Sequence, residues 1–183
     1  ALRPVETTGH RSADVSFADG TLGVEQRELR ILDGSSVVAA VQTDAVVFES
    51  EQRRVAAVAG AITRGRPGNA WLTSPPPITS GPDVLVVGAQ RLNGSGSVGG
   101  TGGVRTTLRT NVSHDRRSLG TDTFSVAIET TTPGPFQQYA EERGLDTSRR
   151  DFDGDGVPSV VIEYDGTRTA YLVVHDMRLE VGV

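Results

Sequence analysis

The chain has 183 residues, which is enough for one domain with a sizeable hydrophobic core. Its formal net charge is −5 at pH 7, and all 18 basic residues are arginines that occur singly or in scattered pairs. This distribution argues against nucleic acid as a partner, because phosphate binding requires a clustered basic face. The absence of cysteine excludes disulfides, thiolate metal sites and cysteine nucleophiles.

The composition favours a β fold. Hydrophobic residues make up 36% of the chain and aromatic residues only 5%, so the core must consist mainly of Val, Ala, Leu and Ile. The β-branched members of this set suit a pleated sheet, and the 22 scattered glycines indicate many turns. We therefore predict a mostly β protein, an antiparallel β-sandwich or sheet with one short helix near residues 135–143. We expect residues 1–183 to form a single domain, with residues 1–12 as a flexible N-terminal tail.

The first half of the chain contains several predicted strands. Residues 22–32 alternate apolar with charged side chains, which predicts one half-buried strand with a bulge at residues 26–27. Asp33-Gly34 then marks a hairpin turn. The β-branched content of residues 37–48 favours a strand pair, and the apolar run 55–63 predicts a single strand that is buried on both faces.

Trp71 is the only tryptophan in the chain, and it lies shortly before the prolines at 75–77. A proline run cannot lie in a central strand, so we expect this segment at a sheet edge or in a crossing between sheets. A single tryptophan in such a position is more typical of an anchor in the core or at the sheet edge than of a ligand platform. We therefore predict that Trp71 is a core residue.

The second half is also rich in strand patterns. Apolar or alternating runs predict strands at residues 84–92, 104–113, 123–131, 159–164 and 169–174, with residues 177–183 as a further one. Between the first two, residues 93–103 are almost entirely Gly, Ser and Thr, which is typical of a flexible loop. The single predicted helix opens at Pro135 and stops at Gly144.

Asp151, Asp153 and Asp155 alternate in a short loop with two glycines. Alternate carboxylates can converge on one hard cation, and Ca²⁺ takes about six to eight oxygen ligands. The loop is not an EF-hand, because that pattern requires Glu at its twelfth position, which here is Ile162. The three aspartates are therefore candidate ligands of an irregular Ca²⁺ site, the one cofactor that the sequence suggests. The other interpretation is an acidic β-turn.

Sequence motifs for catalysis are missing. His10, His114 and His175 lie in unrelated contexts with neither helical nor hairpin spacing. The chain has no nucleophile elbow and no glycine pattern that binds phosphates or dinucleotides. We predict that the protein is not an enzyme. A hydrolase would require two carboxylates that face each other in a cleft.

Two triplets fit the acceptor pattern for N-glycosylation, one beginning at Asn93 and the other at Asn111. The first lies in the predicted glycine-rich loop, where it would be accessible. The second lies within a predicted strand and is the weaker candidate.

Three segments carry a resemblance to a known family: AVVFE at 45–49, WLTSPP at 71–76 and FQQYAEER at 136–143. Their order resembles the extracellular domain of type IV pilin-like surface proteins of halophilic archaea, over roughly residues 13–161. The N-terminal hydrophobic helix of that family is absent here, and the acidic loop after residue 150 has no counterpart in the pattern. The lysine-free composition fits either a GC-rich genome or a salty environment, in which guanidinium groups are weakly hydrated and pair well with carboxylates.

The resemblance implies a non-catalytic, pilin-like domain at the cell surface that takes part in filament assembly or adhesion. Its partners would be other surface or pilus subunits and glycans, and it would reach the membrane only through an anchor absent from this chain. The alternative is an extracellular, calcium-stabilised β-sandwich module that binds a carbohydrate or another ligand. In that interpretation, Trp71 and Tyr139 are the residues that could stack on the ligand.

Overall fold

The computed structural model describes residues 9–182, and this region is mostly β with a single short helix, as predicted. In chain order the elements are β1 (Gly9–Phe17), β2 (Gly20–Glu25), β3 (Glu28–Asp33), β4 (Ser36–Gln42), β5 (Ala45–Glu49), β6 (Arg54–Val58), β7 (Ala61–Arg64), β8 (Trp71–Ser74), β9 (Ile78–Ser80), β10 (Val84–Arg91), β11 (Ser97–Gly100), β12 (Val104–Asp122), β13 (Phe124–Glu129), α1 (Pro133–Glu141), β14 (Thr147–Arg150), β15 (Ser159–Glu163), β16 (Arg168–Asp176) and β17 (Glu180–Gly182).

The described strands form three sheets. The first sheet has the order β1-β12-β16-β10-β9, with β17 also paired to β12; the second has the order β11-β2-β5-β6-β7-β8; the third has the order β14-β15-β13-β3-β4. Pairing between these strands is antiparallel except between β10 and β16, which run parallel. The long strand β12 pairs with β1 through its first half and with β16 through its second half.

The segment 22–32, predicted as one bulged strand, is divided between two sheets. Strand β2 ends at Glu25 in the second sheet, and β3 begins at Glu28 in the third. The apolar residues change from even positions (Leu22, Val24) to odd positions (Leu29, Ile31) because the chain moves to a different sheet. A bulge would have kept the chain in the same sheet. The prediction of a single strand is therefore wrong.

The apolar run 55–63 is also two strands, β6 and β7, that form a hairpin. Val58 pairs with Ala61, so the connection contains only Ala59 and Gly60, with φ of 48° and 80°. Positive φ at both positions is the geometry that matches the twist of a two-residue hairpin. The single-strand prediction is wrong because alanine gives no turn signal in the sequence.

The glycine-rich segment 93–103 contains strand β11, so the prediction of a flexible loop is wrong for these residues. Strand β11 pairs with β2 over four positions, from Ser97 opposite Gly23 to Gly100 opposite Gly20. A Cβ on Gly99 would lie 3.0 Å from the carbonyl oxygen of Gly20. The glycines therefore allow two backbones to approach closely, a use of glycine in strands that composition alone does not distinguish from flexibility.

One hydrophobic core joins the three sheets and the helix. Its members are mostly aliphatic, as predicted, and the largest of its fully buried side chains include Phe136, Leu29, Ile31, Leu85 and Ile128. Helix α1 packs against β15, β8 and β14. It begins at Pro133, two residues before the predicted start, and ends before Gly144, whose φ of 67° suits a helix terminus.

The predicted tail over residues 1–12 overlaps β1, which begins at Gly9; residues 1–8 lie outside the described part of the chain. Within residues 9–182, no helix is long and apolar enough to cross a membrane.

Candidate functional site

Trp71, predicted to be in the core, is instead 53% exposed. It is the first residue of β8, which forms an edge of the second sheet. Side chains alternate along this strand, so Leu72 packs against the core while Trp71 and Thr73 face solvent. The prediction that Trp71 lies in the core is wrong, because the sequence does not show which alternate side chains of this short strand face inward.

Strand register places four residues in one row on the outer face of the second sheet. Phe48 pairs with Val55, Val55 pairs with Arg64, and Arg64 pairs with Trp71. Directly opposite residues have Cβ atoms about 4.5–5.5 Å apart, so neighbouring side chains in this row can contact the same ligand. We call this row, together with Arg53 and Arg66 at its end, the arginine–tryptophan face.

A cleft of about 780 Å³ opens on the arginine–tryptophan face. Its lining includes two aromatic side chains, four arginines and no acidic residue. The arginines are Arg53, Arg54, Arg64 and Arg66. A chain with a net charge of −5 therefore has a local surface of positive sign here.

The four arginines do not have the same role. Arg54 is buried and donates to the Thr131 hydroxyl at 3.1 Å, so it is a structural residue. Arg66 donates to the backbone carbonyls of Ser50 and Glu51 and thereby holds the turn between β5 and β6.

Arg53 and Arg64 are exposed, and no carboxylate of residues 9–182 lies within 4.0 Å of either guanidinium group. Two guanidinium groups are thus available to an external anion. The planar fork of arginine suits carboxylate, sulfate and phosphate groups in particular.

The turn between β7 and β8 fixes the position of Trp71. Gly65 has a φ of 103°, and a Cβ at this position would lie 2.2 Å from the carbonyl oxygen of Asn69. The Gly65 amide donates to the Arg54 carbonyl at 2.9 Å, and the Asn69 amide donates to the Arg66 carbonyl at the same distance. This tight, hydrogen-bonded turn requires glycine, and it holds the backbone that leads into Trp71 in place.

The aspartates of the predicted calcium loop each have a different partner. Asp151 accepts hydrogen bonds from the amides of Gly154 and Gly156 at 2.7 and 3.0 Å, which lower the pKa of this carboxyl. Asp155 accepts one from the Val157 amide at 2.8 Å, and Asp153 pairs with an arginine of β3. The described residues contain no cluster of three or more side chains suited to holding a metal ion. Calcium binding by these aspartates stays a prediction.

The acidic loop is held against the outer face of the third sheet by Arg30. The Arg30 side chain is only 6% exposed, and its Nη2 lies 2.6 Å from Asp153. Its guanidinium carbon lies 4.8 Å from the centre of the Phe152 ring, and the Phe152 ring packs on a small apolar cluster of this sheet. A protein cation thus pairs with one of the three aspartates that the sequence suggested as metal ligands.

Arg30 also neutralises a buried acid. Glu129 is 5% exposed, and its Oε2 lies 3.6 Å from Arg30 Nη1. Burial raises the pKa of Glu129, and the nearby positive charges of Arg30 and Arg27 oppose that rise. Burying an unpaired carboxylate is costly, so Arg30 is important for the stability of this sheet.

The expectation that the histidines are unrelated is wrong for two of them. His114 of β12 lies directly opposite His175 of β16, and their Nδ1 atoms are 2.6 Å apart. Burial and the proximity of His114 lower the pKa of His175. His10 of β1 pairs through its backbone with Asn111 of β12, and the His10 side chain is outside the described region. Only the pairing of two strands far apart in sequence brings the two histidines together.

A second cleft, of about 480 Å³, lies beside helix α1 and includes Tyr139, Tyr164 and Arg143. Tyr139 is only 6% exposed, and the guanidinium carbon of Arg143 lies 3.8 Å from its ring centre. Its burial and its contact with Arg143 argue against Tyr139 as a residue that stacks on a ligand. The Tyr164 hydroxyl is buried without a hydrogen-bond partner among the described residues, and burial raises the pKa of both tyrosines.

The two glycosylation candidates differ in exposure. Asn93 is exposed directly after β10, whereas the Oδ1 of Asn111 is buried within the first sheet. Asn93 is therefore the more accessible acceptor.

The described region is a three-sheet, mainly antiparallel β domain with an exposed arginine–tryptophan face. The chain belongs to a family of unknown function, DUF7289, whose profile matches residues 1–180. No curated protein and no solved structure matches the chain. The resemblance to haloarchaeal pilin-like proteins stays a prediction.

Proposed function

We propose that the protein is a non-catalytic cell-surface domain that acts in adhesion, with the arginine–tryptophan face as its contact surface. The observation that carries this proposal is the 53% exposure of the only tryptophan, in a row with Arg64 and two apolar side chains. Large apolar side chains are usually buried, and tryptophan and arginine are enriched among the hot-spot residues of protein interfaces. An exposed tryptophan on a firm edge strand therefore favours a binding surface.

The charge of the face favours an anionic ligand. Arg53 and Arg64 are exposed and unpaired among residues 9–182, and the cleft between them and Trp71 has no acidic lining. The indole offers an apolar plane for a ring, while the guanidinium groups offer donors for carboxylate or sulfate. An acidic polysaccharide combines both features, and we propose this ligand class.

Binding to a sulfated polysaccharide tests the proposal, with heparin as the probe and neutral dextran as the control. We expect Trp71→Ala to weaken heparin binding by about 2 kcal/mol, roughly 30-fold, because a central interface tryptophan typically contributes this much. Arg64→Ala should weaken binding and reduce its salt dependence. Arg109→Ala is the matched control, because Arg109 is an exposed arginine of the first sheet.

Two outcomes would contradict the adhesion proposal. One is equal binding of heparin by the wild type, Trp71→Ala and Arg64→Ala. The other is equal binding of dextran and heparin by the wild type, since neutral dextran offers no partner for the arginines. Circular dichroism of each variant shows whether the fold is kept.

Assembly with pilus-like subunits is the second candidate function, and the observation in its favour is the edge strand β4. Strand β4 is the last strand of the third sheet, and Val37 and Val38 on it are 46% and 44% exposed. An unpaired apolar edge is a template for strand addition by a neighbouring subunit. Sedimentation over a range of concentrations tests this candidate, and Val38→Lys should abolish any self-association that uses this edge.

A further inference from the structure

The two neighbouring histidines of the first sheet have an arrangement that the adhesion proposal does not use. His114 and His175 are a directly opposed antiparallel pair, with ring centres 4.7 Å apart and ring planes at 86°. Their Nδ1 atoms lie 2.6 Å apart, so each ring has a nitrogen at the contact between the two side chains. One of them donates a hydrogen bond to the other, because two unprotonated nitrogens at this distance would repel each other.

We propose that His114 and His175 bind a divalent transition-metal ion, with Zn²⁺ as the representative ion, between their Nδ1 atoms. A Zn–N bond is about 2.0–2.1 Å, so two imidazole nitrogens on a tetrahedral ion are roughly 3.3 Å apart. The two nitrogens therefore need to separate by less than about 1 Å for the ion to replace the shared proton. His114 is exposed and can make this adjustment by side-chain rotation.

The ligand chemistry selects among metals. Imidazole suits Zn²⁺, Cu²⁺ and Ni²⁺, whereas Ca²⁺ and Mg²⁺ prefer oxygen ligands. The described residues provide no third side chain of the usual ligand types at this position. Asp115 and Asp176 follow the histidines in sequence, but strand alternation directs both to the opposite face of the sheet. The remaining coordination positions are therefore left to water or to a ligand from outside the chain.

The site also cross-links two strands far apart in sequence. Strands β12 and β16 are adjacent in the first sheet, and the histidine pair lies at the end of β16 next to the pairing of Ser113 with Asp176. An ion that binds both histidines in the folded protein has no equivalent site in the unfolded chain. Metal binding should therefore raise the unfolding midpoint.

The test uses the full chain without a histidine tag and Zn²⁺ alone as the probe. We expect isothermal titration calorimetry to report one Zn²⁺ per chain. We also expect the unfolding midpoint to rise by roughly 5–10 °C when Zn²⁺ exceeds its dissociation constant a hundredfold. His114→Gln and His175→Gln should each abolish the rise. His10→Gln, which changes the remaining histidine, should leave it intact.

A measurement on the wild type alone avoids reliance on folded variants. Long-range ¹H–¹⁵N spectra of the histidine rings should show Zn²⁺-dependent shifts at the Nδ1 atoms of His114 and His175, and none upon addition of Ca²⁺. The proposal is overturned if the double variant His114→Gln/His175→Gln binds Zn²⁺ like the wild type. It is equally overturned if calorimetry finds no binding at millimolar Zn²⁺, or if only His10 shifts. None of these outcomes bears on the arginine–tryptophan face.

Discussion

Replacing Arg30 with methionine should expose how much this buried cation stabilises the third sheet. Methionine keeps an unbranched apolar stem of similar length, so much of the packing of the arginine stem is retained. The substitution removes the charge that pairs with Glu28 and that faces Glu129 at 3.6 Å and Asp153 at 2.6 Å. Loss of the ion pair with the exposed Asp153 should change the free energy of unfolding little, whereas Glu129 is left buried without its principal counter-charge.

The expected cost follows from the geometry around Glu129. Removing one partner of a buried ion pair typically costs about 3–5 kcal/mol. Here the Arg30–Glu129 contact is longer than a hydrogen bond, and Glu129 keeps the Glu28 amide at 3.2 Å and the charge of Arg27. We therefore expect a loss at or below the lower limit of this range, about 2–3 kcal/mol, which corresponds to a decrease of roughly 4–12 °C in the unfolding midpoint.

The pH dependence identifies the cause of this loss. Burial raises the pKa of Glu129 above its ordinary value of 4.5, and removing Arg30 removes the largest opposing influence. The folded variant then binds a proton more tightly than the unfolded chain, so its stability is greatest below the unfolded pKa and declines as the pH rises through the folded pKa. Urea denaturation should therefore show a smaller difference between Arg30→Met and the wild type at pH 5 than at pH 7.

Adding Glu129→Gln provides the control. A neutral amide does not need a counter-charge, so the double variant Arg30→Met/Glu129→Gln should be more stable at pH 7 than Arg30→Met alone. If the loss is the same at both pH values and the second substitution restores nothing, the reasoning is refuted. The loss would then come from the packing of the arginine stem.

Three further predictions concern other parts of the fold. Tyr164→Phe removes a buried hydroxyl without a protein partner among residues 9–182, so it should leave the free energy of unfolding unchanged or raise it by up to about 1 kcal/mol. A decrease of more than about 1 kcal/mol in the free energy of unfolding would contradict this and show that bound water satisfies the hydroxyl. Gly65→Ala should cost about 1–3 kcal/mol because of its positive φ and blocked Cβ position, whereas Gly102→Ala, in open space, should stay within about 0.5 kcal/mol of the wild type; equal effects in urea denaturation would refute the strain argument. The calcium prediction requires that about 1 mM Ca²⁺ raise the unfolding midpoint and that Asp151→Asn abolish the rise; an unchanged midpoint contradicts it.

Some features of the protein could be predicted from the sequence because they depend on neighbouring residues only. The β class follows from an aliphatic, β-branched composition, and the hairpin between β3 and β4 follows from Asp33-Gly34. Helix α1 follows from prolines in its first turn, an amphipathic stretch after them and a glycine beyond its end. In each case the preferred backbone angles of a few residues decide the structure.

Local patterns were misleading where one pattern fits two structures. A change of the apolar residues from even to odd positions fits both a bulge and a move to another sheet. An apolar run fits both one buried strand and a tight hairpin. Residues 22–32 and 55–63 are the two instances, and both became clear only from the strand pairing. A glycine-rich segment likewise fits both a flexible loop and a strand packed closely on another backbone, as in β11.

The candidate site and the histidine pair depend entirely on tertiary structure. Trp71 is exposed because its side chain lies on the outer face of strand β8, and His114 meets His175 because β12 pairs with β16. Arg30 meets Asp153 although 123 positions separate them in the chain. Such pairings are decided by how all the sheets bury their apolar faces together, a property of the whole core. The sequence by itself determined the class of fold and its local turns, whereas the assembled core decided which polar side chains came together.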